Sequence, residues 1–282
     1  MANSAYETGA IEIAKGVYGY IQADGATNAG FIVEEGGVVI IDTLMTRTLA
    51  DRLMSEIRKV TNLPVKYIVN THWHGDHTYG NALFPGVPII AHNTCRDDLL
   101  QEWEAHRMFL SELYPEAANE FESLPAMPPN VTFSHSMSLN IGSRPIELIY
   151  YGRAHTRGDI AIYLPSEGVL FAGDLAFHKY IPNARDGYPS DWMRVAAQVQ
   201  ELPVESIIPG HGPIGKRKDL IEMRECLELI VGGVRNSYDN GLDEFEAYRS
   251  LALGAFASWG RQEDRIPTLI KRLYGEFSGL IK

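Results

Sequence analysis

The chain contains little cysteine, and it lacks long apolar runs. Its two cysteines, Cys95 and Cys226, stand far apart and in no metal-binding spacing, so a disulfide-stabilised scaffold and a cysteine-rich zinc module are both excluded. Two free thiols in a reducing compartment are the simplest expectation. No stretch approaches the roughly 18 consecutive apolar residues that a membrane-spanning helix needs, and we therefore expect no membrane partner.

Positive charge is also scarce. The chain has 25 lysine and arginine residues against 36 aspartate and glutamate residues, which gives a formal net charge of −11. Proteins that bind nucleic acid cluster basic residues to neutralise phosphates, so a nucleic-acid partner is not expected. The first residues lack the basic stretch and apolar run of a secretory signal, which predicts a cytoplasmic location.

The chain does contain enough apolar residues, 45% of 282, to bury a large core in one compact unit. Short β-rich runs alternate with turn signals from residue 11 to 41, which predicts strands and hairpins. Apolar residues at helical spacing follow from 48 to 61, and a buried strand follows from 65 to 69. Strand, helix and strand in that order predict an α/β fold.

The rest of the chain continues the alternation of strands and helices. Residues 96 to 124 are helical in composition, and they form either a lid over a site or a surface helix that packs its aromatic residues on the core. The further predicted elements are strands near 131–133, 146–149, 160–163, 169–171 and 206–208, a helix near 191–202, and helices from 216 to the C-terminus.

A weak internal repeat relates the two halves of the chain. An apolar strand ends in Asp42 in the first half and in Asp174 in the second, and in each half a helix and another strand follow. That second strand runs into His72 in the first half and into His211 in the second. Two such halves predict a sandwich of two sheets covered by helices, with polar residues gathered at the strand ends along one edge.

Four polar residues crowd the segment directly after the strand at 65–69. His72, His74, Asp76 and His77 fall within six positions, and few structural needs explain such a density. Histidines two apart on an extended loop can direct their rings at one centre, while the next aspartate and histidine reach a second centre beside it. Gly75 permits the tight bend between them.

Two further histidines stand in turn-forming segments that follow or join strands. A packed core histidine would be unusual at His155 or His211, and together with Asp174 they complete a ligand set suited to zinc. The remaining histidines are expected to be structural, and we expect replacement of His106 or His135 to change activity little. These remaining residues are His92, His106, His135 and His178.

This pattern, which spans residues from about 17 to 215, resembles the ligand pattern of the metallo-β-lactamase superfamily. The resemblance implies an αβ/βα four-layer sandwich, with a catalytic domain at 1–215 and a C-terminal helical extension at 216–282 packed on the same unit. It also implies two metal ions and a carboxylate that bridges them. The implied ligands are His72, His74 and His155 for the first metal, Asp76, His77 and His211 for the second, and Asp174 as the bridge.

Two positions indicate which members of that superfamily the chain resembles. Asp174 is similar to the bridging aspartate of glyoxalase II-like and lactonase-like members, whereas the best-known zinc β-lactamases carry a cysteine there. A dedicated β-lactamase of that subclass is therefore disfavoured. His74 stands where the flavodiiron oxidoreductases carry a glutamate, which disfavours electron transfer through a flavin partner.

The resemblance implies a binuclear zinc-dependent hydrolase, with iron or manganese as alternative metals. Two cations about 3.5 Å apart lower the pKa of a bridging water from near 15.7 to about 7, and the hydroxide so formed attacks a carbonyl carbon. The expected substrate is a small-molecule ester, lactone, thioester or lactam, and Asp76 and Asp174 are expected to carry the proton to the leaving group. Asp42 is expected to orient a ligand histidine, and Asp159 either does the same or serves as a turn residue.

Two other functions remain open. Persulfide dioxygenases share the fold and the motif, yet they use one iron on two histidines and an aspartate. A degenerate binding module without catalysis is the other alternative, although such a protein is expected to have lost ligands, and all seven are present here. The amphipathic C-terminal helices pack on the sandwich, cover the pocket or form a homodimer.

Overall fold

Two mixed β-sheets form the centre of the molecule. The computed structural model describes residues 8–282, so the N-terminal segment on which the expectation of a cytoplasmic location rests lies largely outside the described residues. Within that range, no helix combines the length and the apolar character that crossing a membrane requires.

The first sheet has seven strands whose order in space is their order in the chain. Neighbours are antiparallel in the first four strands and parallel in the last four. The strands are β1 (Gly9–Ala14), β2 (Val17–Ile21), β3 (Ala29–Glu34), β4 (Gly37–Ile41), β5 (Val65–Val69), β6 (Ile89–His92) and β7 (Val131–Phe133).

The second sheet has five strands in the order β12-β11-β10-β9-β8. Only β11 and β12 run parallel, because the helix between them carries the chain back to the same end of the sheet. The strands are β8 (Ser136–Ile141), β9 (Arg144–Ile149), β10 (Ala161–Leu164), β11 (Val169–Phe177) and β12 (Ser206–His211).

Helices cover the outer face of each sheet. Leu53 and Ile57 of α1 pack on the first sheet, while Trp192 of α5 and Leu227 of α6 share a core with the second. The helices are α1 (Arg47–Val60), α2 (Gly75–Thr78), α3 (Asn93–Leu113), α4 (Ala118–Ser123), α5 (Pro189–Val199), α6 (Arg217–Asp239), α7 (Glu244–Ser250) and α8 (Gln262–Phe277).

A third core lies between the sheets, where Val39 and Val69 of the first sheet meet Leu148 and Phe171 of the second. The layers therefore run helix, sheet, sheet, helix, which confirms the predicted four-layer sandwich and its C-terminal helices. The helices after residue 216 share the core of the second sheet, and the domain boundary at 215 stays a prediction.

Several elements differ from the sequence-based prediction. Strands β6 and β8 are additional to it, and β11 extends to Phe177 rather than ending near 171. The long β11 follows from its parallel pairing with β12, which continues past an irregularity at Gly173. Sheet pairing with a partner far away in the chain sets the ends of these strands, and local periodicity does not contain that information.

The contact between the two sheets generates a prediction at Gly30 of β3. A Cβ atom there would overlap the ring of Phe171 and lie 2.8 Å from the carbonyl oxygen of Tyr18. Because overpacking of this kind costs about 1–3 kcal/mol, Gly30→Ala should lower the free energy of unfolding by that amount in urea titrations.

Gly9→Ala is the matched control, since Gly9 also lies in a strand and a Cβ atom added there would meet no atom of the described residues within 4 Å. It should leave the unfolding midpoint nearly unchanged. Equal midpoints for the two variants would contradict the packing of β3 on Phe171.

Candidate metal centre

The predicted ligands come from strand ends that meet at one edge of the sandwich. His72 follows β5, Asp174 lies within β11, and His211 ends β12. Asp76 and His77 lie on the single turn α2, which directly follows the loop after β5. The carboxyl ends of parallel strands thus deliver side chains from both halves of the chain to the same place.

Asp42 fixes the loop after β5 to the end of β4. Its backbone is left-handed, with a φ of 58°, a conformation that costs most residues about 1–2 kcal/mol. Its buried carboxylate accepts hydrogen bonds from Thr71 N at 2.8 Å, from Thr71 Oγ1 at 2.7 Å and from His77 Nδ1 at 2.7 Å. These bonds offset the strain and orient His77, which is the supporting role expected from the sequence.

The hydrogen bonds of His74 and His155 determine which ring nitrogen carries the proton. His155 Nδ1 lies 2.7 Å from the carbonyl oxygen of Asn183, and His74 Nε2 lies 2.9 Å from Asp186 Oδ2. Both oxygens are acceptors, so each of these nitrogens donates. The other two nitrogens, His155 Nε2 and His74 Nδ1, therefore carry lone pairs, and they face each other at 2.8 Å.

His72 adds a third lone pair to the same point. The hydroxyl proton of Thr71 is donated to Asp42, so Thr71 Oγ1 accepts from His72 Nδ1 at 3.1 Å. His72 Nε2 then lies unprotonated 3.2 Å from His74 Nδ1. Three lone pairs that converge in a buried space repel one another unless a cation lies between them, and a metal ion satisfies all three.

A second group of ligand atoms is arranged in the same way. His77 Nδ1 donates to Asp42, and His211 Nδ1 donates to the carbonyl oxygen of Gly25 at 2.9 Å. Their Nε2 atoms lie 3.6 Å and 3.5 Å from Asp76 Oδ2. Asp76, His77 and His211 thus form a second cluster whose ligand atoms lie within 4.8 Å of one another.

Asp174 stands between the two groups. Its Oδ2 lies 3.1 Å from His155 Nε2 and 3.5 Å from His211 Nε2, and its Oδ1 lies 3.2 Å from His77 Nε2. Asp174 Oδ1 and His77 Nε2 are buried, yet neither has a hydrogen-bond partner among residues 8–282. Buried polar atoms are rarely left without partners, and cations at this position would bind both.

The electrostatics of the site favour positive charge. Burial alone would raise the pKa of Asp174, but His211, His155 and His77 hold it well below its usual value. Burial alone would lower the pKa of His211, but Asp174 and Asp76 raise it to about 9. Without a metal, the carboxylates thus attract a proton to the place where a cation would lie, and metal binding displaces such protons.

The buried imidazole of His155 has the opposite shift. Burial lowers its pKa to about 3, so the ring is neutral at physiological pH, as a metal ligand must be. Five imidazole nitrogens and two carboxylates that converge with their other hydrogen bonds satisfied form a donor set that fits two ions of zinc or a similar metal. The structure brings all seven predicted ligands together.

Several neighbours of the ligands are not predictable from local sequence. Asp186 accepts from His74, and Thr27 Oγ1 donates to Asp76 Oδ2 at 2.6 Å. Burial would raise the pKa of Asp186, but its hydrogen bond to His74 lowers it below the usual value. Thr27 and Asp186 approach their partners only in the folded chain, so no local motif could have revealed them. Asp159, by contrast, accepts from the backbone and hydroxyl of Thr156, as a turn residue does.

His106 lies closer to the centre than a purely structural histidine would need to. Its ring stacks on that of His74 with centroids 5.5 Å apart, and its Nδ1 lies 3.1 Å from the hydroxyl of Tyr79. The side chain of His92 caps α3 by accepting a hydrogen bond from Thr94 N, and His178 Nε2 lies 3.0 Å from Asp219 Oδ1. Both are structural roles. The expectation that His106 is unimportant for activity stays a prediction, but its position argues against it.

A cavity of about 560 Å³ opens over the ligands. Helix α3 contributes apolar side chains to its wall, and α8 contributes charged ones, so both segments considered as covers from the sequence border the site. The lining includes His74, Asp76, Asp174 and His211 from the centre, His106, Phe109, Leu110 and Leu113 from α3, and Arg261, Asp264, Arg265 and Thr268 from α8 and the residue that precedes it.

Comparisons with known proteins agree with this architecture. The chain is 25% identical over 236 residues to the metallo-beta-lactamase type 2 of Bacillus cereus. This alignment covers 79% of this chain and 84% of that relative. It is 24% identical over 213 residues to the enzyme of the same name from Bacteroides fragilis, covering 71% and 77% of the two chains.

Solved structures show the same fold. A metallo-beta-lactamase from Pontibacter korlensis superposes with a TM-score of 0.63 at 22% identity, over 79% of this chain and 99% of that one. The structure of TMB-1 gives a TM-score of 0.63 at 20% identity, over 79% and 98%. The family model of the metallo-beta-lactamase superfamily matches residues 23–211, and the chain therefore belongs to the metallo-beta-lactamase superfamily.

Proposed function

We propose that the protein is a binuclear zinc-dependent hydrolase of a small carbonyl compound. The observation that carries this proposal is the hydrogen-bond pattern of the five clustered histidines, each of which donates one N–H to an acceptor outside the cluster and directs its other ring nitrogen inward. His72, His74 and His155 would hold one ion, Asp76, His77 and His211 the other, and Asp174 would bridge them. Membership of a superfamily whose members are generally hydrolases supports the reaction type.

Zinc bound by such ligands would supply an activated water near neutral pH and a Lewis acid for the substrate carbonyl. The protein's own residues handle orientation and protons. The Asp76 side chain is 25% exposed, whereas that of Asp174 is 3% exposed. Both carboxylates border the cavity. Asp76 is the better placed to pass a proton to a leaving group, because it is more exposed and Thr27 donates to only one of its two oxygens, Oδ2.

The cavity volume of about 560 Å³ suits a small molecule rather than a polymer. The names of the Bacillus and Bacteroides relatives suggest a lactam. The aspartate at position 174, which resembles glyoxalase II-like and lactonase-like members, favours esters, thioesters and lactones instead. We therefore propose these three bond types first and the lactam second.

The first test is metal content. Protein purified without added metal or chelator should contain about two zinc ions per chain by elemental analysis. His74→Ala and Asp174→Ala should lose metal and turnover while keeping a cooperative unfolding transition, because the cores lie between and outside the sheets rather than at the ligands.

His135→Ala is the matched control, since His135 is exposed and lies outside the metal ligands, and it should keep both ions and full turnover. About one iron per chain would instead indicate the dioxygenase. Bound zinc without turnover of any of the proposed bond types would indicate a binding module.

A second prediction concerns Asp42. Asp42→Asn should weaken zinc binding about 10- to 100-fold, because the amide no longer fixes His77 with a charge-assisted hydrogen bond. Asparagine tolerates the left-handed backbone that Asp42 adopts, so the variant should stay folded. Competition with a chromophoric chelator measures the affinity.

Asp51→Asn makes the same chemical change at an exposed position of α1, and it should leave zinc affinity unaltered. Equal affinities for the two variants would show that the hydrogen bond from His77 to Asp42 does not support the centre.

A further inference from the structure

The cavity contains the buried guanidinium group of Arg265. Among residues 8–282, no carboxylate forms an ion pair with it. Arg265 of α8 is 5% exposed and borders the cavity together with Asp76, Asp174 and His211. Its Nη1 donates to the carbonyl oxygen of Ile181 at 2.6 Å. Within the described range, this is its one side-chain hydrogen bond, and no carboxylate there forms an ion pair with it.

The other two arginines of the cavity wall differ from Arg265 in this respect. Arg185 Nε lies 3.2 Å from Asp186 Oδ2, and Arg261 Nη2 lies 2.6 Å from Asp264 Oδ2. Each of these guanidinium groups thus has an acidic partner and is partly exposed. Arg265 is shielded from bulk solvent and lacks such a partner among the described residues, and buried charges of that kind are stable only when they are paired.

The side chain is held in a fixed orientation. Its guanidinium carbon lies 4.7 Å from the centre of the Phe177 ring, and that ring stacks on the ligand His211 with centroids 5.2 Å apart. Cation–π contact and the bond to Ile181 position Arg265, while its Nε and Nη2 make no hydrogen bond within the described part of the chain. These two nitrogens form one edge of the guanidinium fork, which matches a carboxylate in shape.

The charge of Arg265 persists at neutral pH. Burial and the charge of Arg261 lower its pKa to about 10, and the carboxylates of Asp174, Asp264 and Asp76 act in the opposite direction. If Asp174 and Asp76 hold metal ions, their negative charge no longer compensates the guanidinium, and Asp264 is already paired with Arg261. The loaded cavity then carries an excess of positive charge, and an anion restores the balance.

We propose that Arg265 binds a carboxylate of the substrate, so that the preferred substrates are esters, thioesters or lactones that also carry a free carboxylate. This inference rests on the proposed hydrolase function, because it concerns the same cavity. The same cavity is also lined by the apolar side chains of Met45, Leu49, Leu110 and Leu113, so we expect the substrate to have an apolar portion as well.

Arg265 lies beyond residue 211, where the match to the superfamily model ends. The residue is therefore a property of this chain's C-terminal helices and is separate from the shared metal ligands. It is a specificity residue that binds the substrate away from the reacting bond, and its effect should be visible in binding alone, without turnover.

The test compares carboxylates with their neutral primary amides on the purified, metal-containing protein. Isothermal titration calorimetry would use two pairs, 4-phenylbutyrate with 4-phenylbutyramide and octanoate with octanamide. The wild-type protein should bind the carboxylate of at least one pair about tenfold more tightly than its amide, as a charge-assisted bidentate contact predicts. Arg265→Gln should abolish this preference and leave amide binding unchanged.

Lys271→Gln is the matched control, because Lys271 lies on the same helix, is exposed and carries the same charge. It should keep the full preference for the carboxylate. Elemental analysis of each variant must show equal metal content, since zinc also binds carboxylates. Arg265→Lys keeps the charge but loses the fork, and it should reduce the preference severalfold; it decides the question if Arg265→Gln does not fold.

Two results would overturn the inference. One is a wild-type protein that binds neither carboxylate more tightly than its amide, and the other is a preference that persists in the Arg265 variants at equal metal content. Neither result affects the hydrolase proposal, which zinc content and turnover test separately. Absence of turnover at full metal content, in turn, would leave the measured carboxylate preference as a property of the cavity.

Discussion

Each imidazole at the centre has one N–H to give, and the fold must provide an acceptor for it away from the centre. These acceptors are an aspartate at a left-handed turn, a second aspartate, a threonine hydroxyl and two backbone carbonyls, and they come from four separate segments of the chain. They are Asp42, Asp186, Thr71, Gly25 and Asn183. Because a histidine binds metal only through its unprotonated nitrogen, the positions of these segments determine whether a metal site exists at all.

The need to bring both halves together explains the close packing around Asp174. A Cβ atom on Gly210 would overlap the Asp174 carboxylate, and one on Gly173 would overlap the side chain of Thr71. Glycine beside Asp174 and beside His211 lets β11 approach both β12 and the loop after β5. That approach lets His211 Nε2 lie 3.5 Å and His77 Nε2 lie 3.2 Å from the carboxylate of Asp174.

The local sequence was sufficient to predict the ligands, but it did not predict most of the residues that hold them in place. The density of His72 to His77 and the predicted strand-end positions of Asp174 and His211 indicated a site. In the structure, the ligand atoms of each cluster lie within 4.8 Å of one another. The contact of His74 with Asp186 joins positions 112 residues apart, and that of His211 with Gly25 joins positions 186 apart. Such contacts depend on how sheets and loops pack, as do the unpredicted strands β6 and β8, and no periodicity within one segment encodes them.

The residues that are proposed to bind metal and those that are proposed to select the substrate lie in different parts of the chain. The seven predicted ligands lie at the edge of the two sheets and within residues 23–211, which match the superfamily model, whereas α8 of the cavity wall lies beyond that match. A wall helix can change without disturbing the hydrogen bonds that fix the ligands, since its contacts with the centre are made mainly through side chains such as His106 and Arg265. Helix α8 is anchored by Leu269 and Leu273 in the core of the second sheet, and this packing fixes the polar face that it turns to the cavity. Specificity in this chain is therefore best sought on α8, where a rigid scaffold holds a buried positive charge beside the site.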